Sequence, residues 1–170
     1  MDQVNYPQEI HYPPAWAKKV CTMVGGQSKY EILFTCWGFA EGTIGASYNP
    51  INTTLPLMGS SAWNTAGVQN YSSSIIGMCA TAITLQNGYY NGILGAIQGG
   101  KLTPIQVVEK YSNEFSTWGT NPQDIIAELR VHGVMVRLMS RLLRKPLRRE
   151  TSRDTFSYSR KNQLTEFDTR

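Results

Sequence analysis

Between Glu41 and Lys101 the sequence carries no charged side chain, so residues 42–100, fifty-nine in a row, are neutral. Charged residues make up only 16% of the chain, while Gly, Ser, Thr, Asn and Tyr are abundant. Such a surface must be largely neutral and hydrogen-bonding. Two histidines, His11 and His132, leave too few imidazoles for a zinc centre. The three cysteines (Cys21, Cys36 and Cys79) are an odd number set far apart among apolar residues. That pattern reads as buried free thiols, without a disulfide frame or metal-ligand spacing. No cofactor motif is visible, and none is expected. Long apolar runs are missing too: the best, "SIIGMCATAITL" at 74–85, is too short and too rich in Ser, Gly and Thr to cross a bilayer. The start, "MDQVNYPQEIHYPP", lacks the basic and apolar blocks of a secretory signal. Synthesis in a cytoplasm is therefore expected, with delivery elsewhere depending on something else.

What charge there is lies unevenly. Residues 1–130 hold six basic and eight acidic side chains (net −2), whereas residues 131–170 hold ten and four (net +6). This shift suggests a globular domain over 1–130 and a basic arm over 131–170, in a chain whose 170 residues can bury a sizeable core.

Turn residues and apolar spacing predict a mainly α fold of the α+β kind. After Pro13-Pro14, "AWAKKVCTMVG" reads as a helix stopped by Gly25-Gly26. Ser28 is expected to cap "KYEILFTCWGFAEG", where Ile32, Leu33, Cys36, Phe39 and Ala40 recur at helical spacing and Gly42 ends the run. No helical period runs through 43–71, whose prolines, glycines and small polar residues predict a hairpin or structured loop. Helices are then predicted over 73–87, within "YYNGILGAIQGG", and over "PIQVVEKYSNEF" with Pro104 at its first position. "STWGTNP" reads as a turn. A last helix spans about 122 to 145, its Ile125, Ile126 and Leu129 able to pack on the domain. Further along, Met135, Leu138, Met139, Leu142 and Leu143 form a stripe opposed by Arg137, Arg141, Arg144 and Lys145. Those four cations are candidate partner-binding residues. The polar tail beyond Pro146, with Phe156, Tyr158 and Phe167, suggests extended docking onto other protein subunits; membrane or nucleic acid is the lesser alternative.

Glu41 is the candidate catalytic residue. The bland alternative is a solvated helix end beside a neutral loop. Against it, a carboxylate at a helix C-terminus meets the negative end of the macrodipole, and Trp37, Phe39 and Ile44 add desolvation. Both effects favour a carboxyl that keeps its proton. A protonated carboxyl facing neutral hydrogen-bonding groups and aromatic rings is what cleavage of a glycosidic bond requires; the acid of lysozyme is a raised glutamic acid of this kind.

Several linked stretches carry a resemblance: "WGFAEGT" (37–43), "YNPINTTLPLMGSSAWNTAGVQNY" (48–71), "SIIGMCATAITLQNGYY" (74–90) and "STWGT" (116–120). Over roughly residues 13 to 122 the chain resembles the lysozyme-like superfamily, especially phage-encoded transglycosylase-like domains and, more distantly, bacterial glucosaminidases. The resemblance implies a lysozyme-like helical domain with a small polar lobe that acts on peptidoglycan glycan strands, with Glu41 as general acid. It implies groove roles for Asn49, Thr53, Thr54 and Tyr71, and a stacking role for Trp63. Each has a structural alternative: turn formation for Asn49, strand propensity for Thr53 and Thr54, core packing with a backbone-tied hydroxyl for Tyr71. Trp37 and Trp118 read as core. No second carboxylate lies between Glu41 and Glu109, and Glu31 is nearly three helical turns back. Lytic transglycosylases of this superfamily work with one glutamate, so the resemblance leans towards that mechanism, or towards a domain that kept its groove and lost turnover. In either form, the arm suggests a phage virion or tail protein acting at the cell wall.

Overall fold

The computed structural model describes residues 13–42 and 45–143, with side chains described for 14–42 and 45–133. Seven α-helices and one two-stranded sheet make up its regular structure, so the described chain is mainly α. No helix among the described residues is long and apolar enough to cross a membrane.

Helix α1 (Pro13–Met23) buries Trp16, Ala17, Val20 and Cys21 on one face and leaves Lys18, Lys19 and Thr22 in solvent. Gly25, at φ 72°, turns the chain back. A 3-10 turn over Ser28–Tyr30 then leads into α2 (Glu31–Ala40). Ser28 therefore opens that turn and does not cap α2; the residue at the cap is Tyr30, which supplies no side-chain bond. Leu33 to Gly38 are all buried, six consecutive residues that cover the whole circumference of the helix. Such a helix must be surrounded. It is packed by α1 on one side and α7 on another.

After Glu41 the chain turns at Gly42, with φ 76°. It then builds a polar lobe whose strands β1 (Ser61–Ala62) and β2 (Gln69–Asn70) pair antiparallel, Ser61 opposite Asn70 and Ala62 opposite Gln69. A small cluster of Tyr48, Tyr71 and Ala80, flanked by Leu55, Leu57 and Ile76, joins this lobe to α3 (Ser74–Leu85). Gly77 permits the join, because a Cβ there would lie 2.0 Å from the Tyr48 carbonyl oxygen.

The remaining helices are α4 (Asn91–Gly99), α5 (Pro104–Lys110), α6 (Ser112–Trp118) and α7 (Pro122–Leu143). The expected single helix over 104–115 is two. It breaks at Tyr111 (φ −112°, ψ 30°), and the second piece continues through Trp118, into the segment expected to be a turn. Pro104 stands at the start of α5 as expected, and Thr103 and Gln106 add a reciprocal capping box around it. Ile125, Ile126 and Leu129 are buried in the main core. α7 crosses position 130 without a break. The side chains of Arg137 and Arg141, and Arg144 and Lys145 altogether, lie outside the described residues.

Candidate functional site at the end of helix α2

Glu41 stands where α2 ends, its backbone N–H still bonded to the Trp37 carbonyl at 3.0 Å. Three separate stretches meet at its half-buried carboxyl. The first is α2 itself, which contributes Trp37. That indole is fully buried and wedged edge-on against Phe115 and Trp118, with centroids 4.7 and 5.0 Å away. The rings fix its orientation. Its Nε1–H donates to Thr120 Oγ1 at 2.7 Å.

Thr120 belongs to the second stretch, the turn between α6 and α7. Having accepted from Trp37, its hydroxyl donates to Glu41 Oε1. The third stretch is the start of the polar lobe. Asn52 adopts the left-handed conformation (φ 56°), which asparagine tolerates better than most residues. Its side-chain amide donates to Glu41 Oε2 at 2.7 Å. Trp118 Nε1–H donates to the Ile51 carbonyl at 2.6 Å, tying this loop to α6. Each carboxyl oxygen thus accepts one hydrogen bond from a neutral donor and keeps a further lone pair. Among the described residues Glu41 has no ion-pair partner. The result is an oriented carboxyl without a cation, suited chemically to proton transfer or to binding a neutral donor.

The residues expected around it divide into two groups. Asn49, Thr53 and Tyr71 are buried, and their polar atoms are engaged within the protein. Asn49 Nδ2 donates to the carbonyls of Thr53 and Gln69, both at 2.8 Å, while its Oδ1 accepts from the Thr53 amide at 2.7 Å. It braces the lobe from inside. Thr53 Oγ1 pairs with Thr81 Oγ1 at 2.9 Å, linking lobe to α3. The Tyr71 hydroxyl donates to the Leu55 carbonyl at 2.8 Å, and burial pushes its pKa up to about 12. Thr54 and Trp63 form the other group, exposed on the lobe. The Trp63 ring lies over Gly45, where a Cβ would come within 2.3 Å of it, yet the residue stays 44% accessible.

The two carboxylates that follow in sequence stand on α5 and α6. Glu114 accepts from the backbone amides of Gly92 and Ile93, each at 2.9 Å, and so satisfies the first turn of α4. Glu109 is exposed on α5.

Asn52 and Thr120, the two residues that touch the Glu41 carboxyl, were not singled out from sequence. Each sits inside a recognisable stretch, "YNPINTT" and "STWGT", but only the fold brings these stretches together. Comparison with protein-family models, curated proteins and solved structures finds no match for the chain.

Proposed function

We propose that the chain is a lysozyme-like, phage-type peptidoglycan-cleaving domain, a lytic transglycosylase or muramidase with Glu41 as general acid. The observation that carries this reading is the carboxyl at the end of a buried helix, oriented by Thr120 and Asn52 where the helical body meets the polar lobe. In this reading Glu41 protonates the glycosidic oxygen as the bond to the sugar breaks. Exposed Trp63 supplies an aromatic face for a sugar ring, and Thr54 a neutral hydroxyl at the rim. Glu114 being engaged at α4 favours the one-carboxylate route, in which a hydroxyl of the substrate replaces water as nucleophile.

Glu41→Gln tests it. The variant is expected to lose clearing of purified peptidoglycan while melting within a few degrees of the parent. Clearing by both proteins alike would remove Glu41 from the chemistry. Mass analysis of the products separates an anhydro end, expected for a transglycosylase, from a reducing end.

A second reading keeps the fold and drops turnover: a catalytically inactive structural protein of a phage virion or tail. It is favoured by the internal engagement of Asn49, Thr53 and Tyr71, which leaves them no free polar atom for a sugar. Absence of clearing by the parent protein would select it. Both readings give residues 131–170 the role of anchoring to neighbouring subunits. Deleting 134–170 is then expected to abolish incorporation into particles while leaving wall cleavage intact; normal incorporation of the truncated chain would end the anchoring idea.

A further inference from the structure

The two oxygens of the Glu41 carboxyl are not equivalent. An indole nitrogen is a donor only, so the Trp37 N–H, 2.7 Å from Thr120 Oγ1, makes that hydroxyl an acceptor. The hydroxyl has one hydrogen of its own. Thr120 is 5% exposed, and among the described residues the acceptor its hydrogen meets is Glu41 Oε1. A proton on Oε1 would set two hydrogens against each other between the same pair of oxygens, or turn the Thr120 hydrogen away from its acceptor. Either arrangement is unfavourable for a buried hydroxyl.

Oε2 is under no such constraint. It accepts from Asn52 Nδ2 at 2.7 Å, and the same nitrogen lies 3.5 Å from the Glu41 backbone carbonyl. The amide therefore turns its nitrogen, not its oxygen, to the glutamate. That bond occupies one lone pair of Oε2 and leaves the other for a proton. The other charged or titratable side chains on the surrounding helices, Glu31, Glu114, Asp124, Glu128, Arg130 and His132, are not bonded to this carboxyl.

We infer that Trp37 and Thr120 form a lock that keeps Oε1 an acceptor, so that Glu41 takes up and releases its proton at Oε2, the oxygen bonded to the polar lobe. Both are positioning residues that act through Glu41. The lock stands whether or not the chain cleaves a glycan. Its catalytic consequence rests on the reading of Glu41 as general acid. The leaving sugar oxygen then meets the carboxyl on the Asn52 side and takes both the bond pair and the Oε2 proton. The carboxylate left behind keeps both of its donors.

NMR of the full-length, 15N-labelled protein from acid to neutral pH tests the lock. The readout is the side-chain amide of Asn52, identified by its loss in Asn52→Leu. Its resonance is expected to move in a step as Glu41 changes charge, and that step to vanish in Glu41→Gln. In Thr120→Val either oxygen can hold the proton, so the step is expected to shrink about twofold, with Thr120→Ser restoring it. Equal steps in the parent and Thr120→Val would overturn the inference, as would an Asn52 amide that does not respond to Glu41. Should Thr120→Val not fold, Trp37→Phe, which frees the hydroxyl to turn and accept, decides in its place. Turnover tests the catalytic consequence separately. With a parent that clears peptidoglycan, Thr120→Val is expected to lower kcat about tenfold at unchanged KM, and Thr120→Ser by less than about twofold. An unchanged kcat in Thr120→Val would overturn that consequence. A parent that clears nothing would overturn the proposed activity, while the Asn52 step still decides the lock.

Discussion

Thr120→Val removes one hydroxyl and changes little else in shape, yet it breaks two hydrogen bonds in the chain from Trp37 to Glu41. The Trp37 side is the costly one. Trp37 is wholly buried, and no water can replace the lost acceptor. An orphaned buried donor costs about 1–3 kcal/mol. The Glu41 side is half-exposed, so water compensates there and the loss is under about 1 kcal/mol. Together these give about 1–4 kcal/mol for Thr120→Val, with a midpoint of about 2.5. Thr120→Ser keeps the hydroxyl and loses a buried methyl, about 1 kcal/mol. In a domain of this size each kcal/mol moves the melting temperature by roughly 2–4 °C, so the two variants separate clearly. Urea unfolding of both variants, repeated in a Trp37→Phe background, isolates the indole bond. Without the indole N–H, Thr120→Val is expected to cost only about 1 kcal/mol. If valine and serine destabilise equally, or if valine costs the same in both backgrounds, the Trp37–Thr120 bond is not what holds this junction.

Two further outcomes follow from the packing. Glu114→Ala strips the acceptor from two amides of the first turn of α4, each held at 2.9 Å by a carboxylate. A loss of about 2–4 kcal/mol in urea unfolding is expected, with Glu114→Gln intermediate; a loss below about 0.5 kcal/mol would show that water caps the helix as well. Alkaline pH should also destabilise the protein. Burial raises the Cys21 thiol to about 11, Cys36 to about 12 and the Tyr71 phenol to about 12. Between roughly pH 9 and 12 the unfolded chain releases protons that the folded one retains, so stability is full well below pH 9 and falls above it. The slope is about 1.4 kcal/mol per pH unit for each group. The Cys21→Ala/Cys36→Ala variant should show a shallower fall, and an identical slope would exclude the thiols as its source.

The helices were legible where punctuation and period agreed. Thr103-Pro104 announced α5, Gly25-Gly26 ended α1, and Ile125, Ile126 and Leu129 found the core. Local rules failed at Ser28, because a 3-10 turn intervened before α2, and at Tyr111, where no glycine or proline marks the break between α5 and α6. The site was half legible. Glu41 stood out by its isolation in charge and by its place at a helix end. Its partners did not, because Thr120 is separated from it by 79 residues and Asn52 reaches it only through a left-handed backbone. Asn49 and Tyr71 show the converse: polar groups in a polar loop turned inward, where they bond the lobe's own backbone.

The Trp37–Thr120 bond joins residues 83 apart, and Trp118 reaches back 67 to Ile51. A ribosome that has made only the first hundred residues holds α1 and α2 but none of the aromatic wall formed by Phe115 and Trp118. Until α6 emerges, the circumference of α2 has nothing to close against on that side. The carboxyl at its end acquires its final orientation only once Thr120 has been made, so a chain cut short before that residue leaves Glu41 without the Thr120 donor and α2 open on that side.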